Sequence, residues 1–175
     1  MQIEVNQPLE LPYTIGFCMS GDTVLMLHRN FPPNQHLWNG IGGRIEAGES
    51  PDEAIAREMM EEAEIDIEQA QSVKYVGIVT WTIVQDATNA HKGMYAYIVK
   101  VASESIKWRS KTTREGRLEW KVLDWVMDVE NPQVVDNIPH FLPRMITAEK
   151  PVRYHCQYEA GQFGKLIELS LPEDL

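Results

Sequence analysis

Cysteine is scarce in this chain. Cys18 and Cys156 are the only two, far apart and without the spacing of metal ligands. That excludes a disulfide framework and a cysteine zinc site, and leaves two buried thiols in a reducing compartment as the expectation. Basic charge is also in short supply: 16 Lys and Arg stand against 26 Asp and Glu, a formal net charge of −10. A protein that grips a duplex needs a cationic face to neutralise phosphates, so no polymeric nucleic acid is expected as a partner. A small anionic substrate is compatible with this balance if a divalent cation supplies the missing positive charge. No apolar run approaches the ~20 residues that cross a bilayer, and residues 1–5 lack the basic start and apolar core of a signal peptide. The expectation is a soluble, cytoplasmic protein with no membrane partner, monomeric or homodimeric. Internal repeats, low-complexity tracts and long Gly/Ser linkers are missing too, which makes one domain over residues 1–175 the simplest partition.

What is present suffices for a folded core: 43% of the 175 residues are hydrophobic and 24% charged. Residues 13–18 and 23–28 read as a strand pair joined by the turn-forming Ser20-Gly21-Asp22. Asn30 to Gly48, rich in Pro, Asn and Gly, is too broken for regular structure and too long for an idle connector, which marks a functional loop. Strands are expected at 73–84 and 94–102, with a polar turn over 86–93. A polar stretch at 110–117 leads into a strand at 118–125. A helix is expected over 139–150, and 152–159 with 164–170 reads as a closing hairpin around Gly161 and Gly164. This mixture of strands and helices predicts an α/β or α+β sandwich.

The clearest element is a helix beginning at Ser50-Pro51-Asp52-Glu53. Ser50 is the N-cap, Pro51 the first helical residue, and Glu53 closes a capping box. Ala54, Ile55, Met59 and Ala63 form an apolar stripe at helical spacing, so the helix runs to Ala63 or Glu64. On it, Glu58, Glu61 and Glu62 stand at i, i+3 and i+4 and share one face. Like charges so spaced cost a few tenths of a kcal/mol per pair, and hard divalent cations such as Mg²⁺ or Mn²⁺, which take oxygen ligands, would relieve the repulsion. Just upstream, Gly40-Ile41-Gly42-Gly43 lets backbone approach closely, so a carbonyl there could join the carboxylates. Arg57 is placed to brace a loop carboxylate, with Glu49 the nearest. The five histidines (28, 36, 91, 140 and 155) show no metal spacing and read as structural or surface groups.

Gly43, five residues, Glu49, seven residues, Arg57-Glu58-Met59, one, Glu61-Glu62, one, Glu64-Ile65 resembles the Nudix box, in which Glu64 stands where the family has Gly. The resemblance implies a Nudix-type α/β/α sandwich with a mixed sheet and a loop–helix–loop holding Mg²⁺ (or Mn²⁺) against a pyrophosphate. Carried over position by position, Glu58, Glu61 and Glu62 would be metal ligands, one of Glu58 and Glu61 serving as base, with the Gly42 carbonyl as a further ligand. Arg57 and Glu49 would be the supporting ion pair. Glu115, ahead of the strand bearing Trp120, resembles the extra Glu that family members recruit from outside the box. Glycine at the departed position suits a left-handed residue at the helix end, so Glu64 is expected to cost about 1 kcal/mol there or to let the helix run further; the chemistry is expected to survive.

The implied reaction is hydrolysis of a nucleoside diphosphate linked to another group, by water attack on one phosphorus. Leu37-Trp38-Asn39-Gly40-Ile41-Gly42-Gly43-Arg44 resembles the mutator-type branch, which removes oxidised purine triphosphates. By that resemblance Asn39 contacts the base edge, Arg29 grips distal phosphates, Trp81 lies against the base, and Asp136 with Asn137 supplies acidic base contacts. Val134 and Val135 occupy the stretch where the branch has a base-stacking Trp. Three functions stay open: a nucleoside triphosphate pyrophosphohydrolase; a Nudix hydrolase of nucleotide sugars, ADP-ribose or dinucleotides; and a non-catalytic nucleotide-binding module.

Overall fold

Alternation of side chains with period two assigns the leading strands to two faces at once. In β1 (Glu10–Ser20), Phe17 and Met19 enter one buried cluster and Cys18 the other. In β2 (Thr23–Arg29), Val24 and Met26 fall on the first side and Leu25 and Leu27 on the second. Strands buried on both faces require a cover on each, and two helices provide it. The computed structural model describes residues 9–83, 92–173 and 175.

The elements that follow are β3 (Trp38–Asn39), α1 (Pro51–Ala63), β4 (Ser72–Ile83), β5 (Lys92–Lys100), β6 (Ser110–Thr112), β7 (Gly116–Val122), α2 (Leu123–Val126), α3 (Ile138–Thr147), β8 (Val152–Glu159) and β9 (Gln162–Leu169). One mixed sheet runs in the order β6-β7-β2-β1-β5-β4-β8-β9, with β3 paired to β2. The β1–β5 and β4–β8 pairs are parallel and the other named pairs antiparallel. Helix α1 lays Ile55, Met59 and Ala63 on Cys18, Leu25, Leu27, Tyr97 and Val99. Helix α3 lays Ile138, Phe141, Leu142 and Met145 on Phe17, Met19, Val24, Met26, Ala96 and Ile98, with Phe17 and Phe141 edge to face at 5.9 Å. The expected α/β/α sandwich with a mixed sheet is the observed architecture.

Two contacts seat α1. Gly16 lies directly under it, where a Cβ would meet the ends of Met59 and Ile55. At the helix start, the Tyr97 hydroxyl donates to Asp52 Oδ1 at 2.6 Å.

Several boundaries differ from expectation. The strand expected over 118–125 ends at Val122, and Leu123–Val126 forms a helical turn. That turn buries Val126 fully and sets Trp125 edge-on to Trp38 at 6.4 Å, contacts an extended chain could not make together. The polar stretch at 110–117 contains β6, a short edge strand whose exposed residues carry no apolar alternation. Helix α3 stops at Thr147 rather than 150, and β9 begins at Gln162 rather than 164. Of the polar turn expected over 86–93, residues 86–91 lie outside the described residues, while Lys92 and Gly93 already belong to β5. The loop over 30–48 contains β3, too short for any periodic signal. It staples β2 to the chain before α3: the Trp38 N–H donates to the Gln133 carbonyl at 2.8 Å, and the Val135 N–H to the Trp38 carbonyl at 3.0 Å.

Ile55 is fully buried between α1 and the sheet. Ile55→Ala should lower the unfolding free energy by about 2–5 kcal/mol, measured by urea denaturation of the metal-free protein.

Candidate functional site

The capping box forms as written in the sequence. Ser50 Oγ accepts the Glu53 N–H at 3.2 Å, and Glu53 Oε2 accepts the Ser50 N–H at 2.8 Å. This pins the start of α1, and the position of every glutamate after it follows from helix geometry. At the other end Glu64 takes the left-handed cap conformation (φ 56°, ψ 32°) and its N–H donates to Met60 at 3.0 Å, while Ile65 N–H donates to Met59 at 3.1 Å. Of the two outcomes expected for Glu64, strain and not helix extension is realised, at a cost of about 1 kcal/mol for a residue with a Cβ. Its Oε2 meets Lys111 Nζ at 2.8 Å.

Arg57 organises the carboxylates. Its guanidinium grips Glu49 through two bonds, Nε to Oε1 at 2.8 Å and Nη2 to Oε2 at 3.0 Å. It also donates to Glu58 Oε1 at 2.8 Å, Glu61 Oε2 at 3.3 Å and the Arg44 carbonyl at 3.0 Å. One planar fork thus ties the glycine-rich loop to the acidic face of the helix. Arg57 holds the Glu49 carboxyl below its usual range. Glu58, its side chain only 12% exposed, is pushed up by burial although Arg57 pulls the other way. Glu62 is pushed up to about 8, by burial first and then by the neighbouring Glu58 and Glu115 carboxylates, with Arg29 opposing. Its Oε2 is buried and has no hydrogen-bond partner among the described residues.

These features suit a divalent cation. The donors are all oxygen, one buried carboxylate oxygen is orphaned, and negative charge accumulates where burial penalises it. Gly43 packs so closely on Glu58 that a Cβ there would run into its carboxylate, and one on Gly42 would run into the Thr14 carbonyl. Among the described residues no hydrogen bond uses the Gly42 carbonyl. Nor do any three His, Cys, Asp or Glu side chains among them converge into a finished coordination sphere. Arg57 instead holds Glu58 and Glu61, and Glu61 is 61% exposed.

A cavity of about 1250 Å³ gathers the sequence-nominated residues. Glu58, Glu61, Glu62 and Gly42 line it from the helix and glycine loop, and Glu115 from the turn between β6 and β7. That turn is closed by the Thr113 N–H donating to the Gly116 carbonyl at 2.7 Å, and is tied to β2 by the Asn30 N–H donating to the Glu115 carbonyl at 2.8 Å. Arg29 lines the same side and donates from Nε to the Pro33 carbonyl at 2.7 Å. Asn39, Trp81, Asp136 and Asn137 line the remainder. Asn39 Oδ1 accepts the Gly40 N–H at 2.9 Å, which leaves its NH₂ to offer the cavity. Asp136 Oδ1 accepts the Tyr158 hydroxyl at 2.9 Å. Val134 and Val135 are buried and also line the cavity, as an aliphatic patch.

Glu49 and Arg57 do not line the cavity; they brace it from behind. Sequence reasoning missed Thr14, Tyr158 and Arg114, all of which line it. Thr14 is 3% exposed with a hydroxyl that has no partner among the described residues. A polar residue beginning the apolar run of β1 was the available signal. Of the histidines, His28 packs on Trp38, His140 stacks on Phe163 at 4.1 Å, and buried His155 bonds Thr80 and Thr82. His91 lies outside the described residues.

The fold has clear counterparts. A mutator MutT protein from Bacillus halodurans superposes with a TM-score of 0.66 at 22% identity, covering 89% of this chain and 95% of that one. The NUDIX domain of Shewanella oneidensis NrtR, complexed with ADP ribose, gives 0.59 at 16% identity, covering 79% and 87%; NrtR is also known in complex with a 27mer DNA. A bifunctional NMN adenylyltransferase/ADP ribose pyrophosphatase from Francisella tularensis, complexed with AMP and a Mn ion, gives 0.56 at 15% identity, covering 82% of this chain and 44% of that one. At such identities these likenesses speak for the fold. The sequence profile of the NUDIX domain, however, matches residues 11–145, most of the chain and all of the loop–helix–loop just described. The protein therefore belongs to the Nudix hydrolase family.

Proposed function

We propose that this protein hydrolyses the pyrophosphate linkage of a nucleoside triphosphate, releasing the monophosphate and pyrophosphate, with oxidised purine triphosphates as candidate substrates. One observation carries the reading. A single cavity has an acidic wall with an orphaned buried carboxylate oxygen at one side, and an amide, a carboxylate and an indole (Asn39, Asp136, Trp81) at another. The first suits a phosphate–metal assembly and the second a nucleobase.

Glu58, Glu61, Glu62 and Glu115, with the Gly42 carbonyl, would hold Mg²⁺ or Mn²⁺. When bound, such a cation would supply positive charge to the phosphate oxygens and lower the pKa of the attacking water. The chain's own groups do the rest. Arg57 fixes the direction of Glu58 through Oε1 and keeps the glycine loop seated on the helix. Glu58 is better placed than Glu61 to accept the water's proton, since its enclosed carboxyl has a raised proton affinity while Glu61, on the same cavity wall, is mostly exposed. Arg29 would neutralise the departing phosphates. The Asn39 NH₂ and the Asp136 carboxylate, held by Tyr158, would read the base edge, with Trp81 against its face.

A second reading has support of its own: two of the structural neighbours are described with ADP ribose or as an ADP ribose pyrophosphatase. The overall charge of −10 disfavours a polynucleotide ligand, and no helix among the described residues is long and apolar enough to cross a membrane.

A panel of canonical and oxidised nucleoside triphosphates, ADP-ribose, nucleotide sugars and dinucleotides, incubated with Mg²⁺, should yield pyrophosphate from the triphosphates. Turnover confined to ADP-ribose or dinucleotides would transfer the activity to the second reading, and nucleotide binding without any cleavage would make the fold a sensor. Glu62→Gln should lower kcat/KM by about 10²-fold or more; unchanged turnover would remove Glu62 from the metal site. The raised Glu62 pKa also fixes a pH dependence. Between the ordinary carboxyl value of 4.5 and about 8 the folded metal-free protein binds a proton that the unfolded chain has lost, so this group's contribution to stability declines as pH rises through that window. A cation that replaces the proton must stabilise more at high pH. The Mg²⁺-induced rise in Tm should therefore grow from pH 6 to pH 8.5, and should grow less in Glu62→Gln, where the raised Glu58 carboxyl still exchanges a proton for the cation.

A further inference from the structure

Glu64, the one departure from the family box, has a partner. The carboxylate lies 2.8 Å from Lys111 Nζ, and Lys111 in turn sits 6.0 Å from the Trp108 ring centroid. Lys107 adds a second positive charge facing Glu64. Lys111 is the central residue of β6, an edge strand of three residues that, among the described residues, pairs only with β7, through Ser110↔Glu119, Lys111↔Leu118 and Thr112↔Arg117. The turn immediately after β6 carries Glu115 into the cavity.

The ion pair therefore spans from the end of the glutamate helix to the hairpin that delivers a carboxylate from outside it. Glycine at position 64 would suit the left-handed cap better but could not reach across. We propose that Glu64 is a positioning residue: through Lys111 it clips the β6–β7 hairpin to the C-terminal end of α1, and so sets how far Glu115 extends into the cavity. This rests on the reading of Glu115 as a metal ligand, and the two can fail separately.

Hydrogen–deuterium exchange of the full-length protein, without metal and with Mg²⁺, tests the clip. In Glu64→Gly and in Lys111→Gln, amides of 110–116 should exchange roughly two- to fivefold faster, the range open to a partly exposed ion pair, while those of α1 keep their wild-type protection. In 1 M salt, where screening acts within ~3 Å, the wild type should move toward the variants. Calorimetry with Mg²⁺ alone should show weaker binding in both variants, and Glu64→Gly should add nothing once Glu115→Gln is present. The charge swap Glu64→Lys with Lys111→Glu should restore protection and binding together, which a cap-only role would not do. Unchanged exchange at 110–116 in Glu64→Gly, or loosening confined to α1, would overturn the clip. Should the hairpin loosen while Glu115→Gln binds Mg²⁺ like the wild type, the clip stands as architecture and its control of the metal site is overturned.

Discussion

Like charge gathered on one helix face is the constraint around which this molecule is arranged. Glu58, Glu61 and Glu62 repel one another along α1, and Glu115 arrives from a separate hairpin to worsen the repulsion at Glu62. Burial makes that repulsion matter, because a carboxylate shielded from water has no solvent to disperse its charge. Arg57 is engaged by Glu49, Glu58 and Glu61, and although the Arg29 charge eases Glu62 from a distance, Glu62 Oε2 has no hydrogen-bond partner among the described residues. An acidic wall so composed costs stability on its own, and on the proposed reading a divalent ion would offset that cost, linking the stability of the site to its chemistry.

The sheet makes this arrangement rigid enough to be useful. β1 and β2 are buried on both faces, so α1 and α3 are fixed relative to each other through a common two-sided platform. The cavity takes its walls from both helical layers and from loops at the same end of the sheet. The staple at β3 sets Asn39 beside the 133–137 segment, so the groups expected to read a base keep a fixed distance from the acidic row.

The family's breadth follows from this division. Its neighbours share the platform at identities of 15–22%, while the cavity's far side is built from side chains that no motif fixes. Here that side presents Val134 and Val135 beside Asp136 and Trp81. On the proposed reading, substrate choice would rest on such residues and metal handling on the box, so the two could diverge independently.

The loop–helix–loop was legible because its signals are local: a capping box, a helical apolar stripe, and glycines where backbones touch. The Arg57–Glu49 pair follows from spacing plus helix geometry. By itself, then, the chain's order of residues determined the helix, its acidic face, the leading strand pair and the family resemblance. Other features were beyond it. β3 and β6 are too short for periodicity, and the turn of α2 exists because Val126 and Trp125 find distant partners. Tyr158 on Asp136, Lys111 on Glu64, and the meeting of Glu115 with Glu62 bring together residues far apart along the chain. Only the tertiary structure decided these, because strand order and helix placement, not sequence separation, determine which charges face one another.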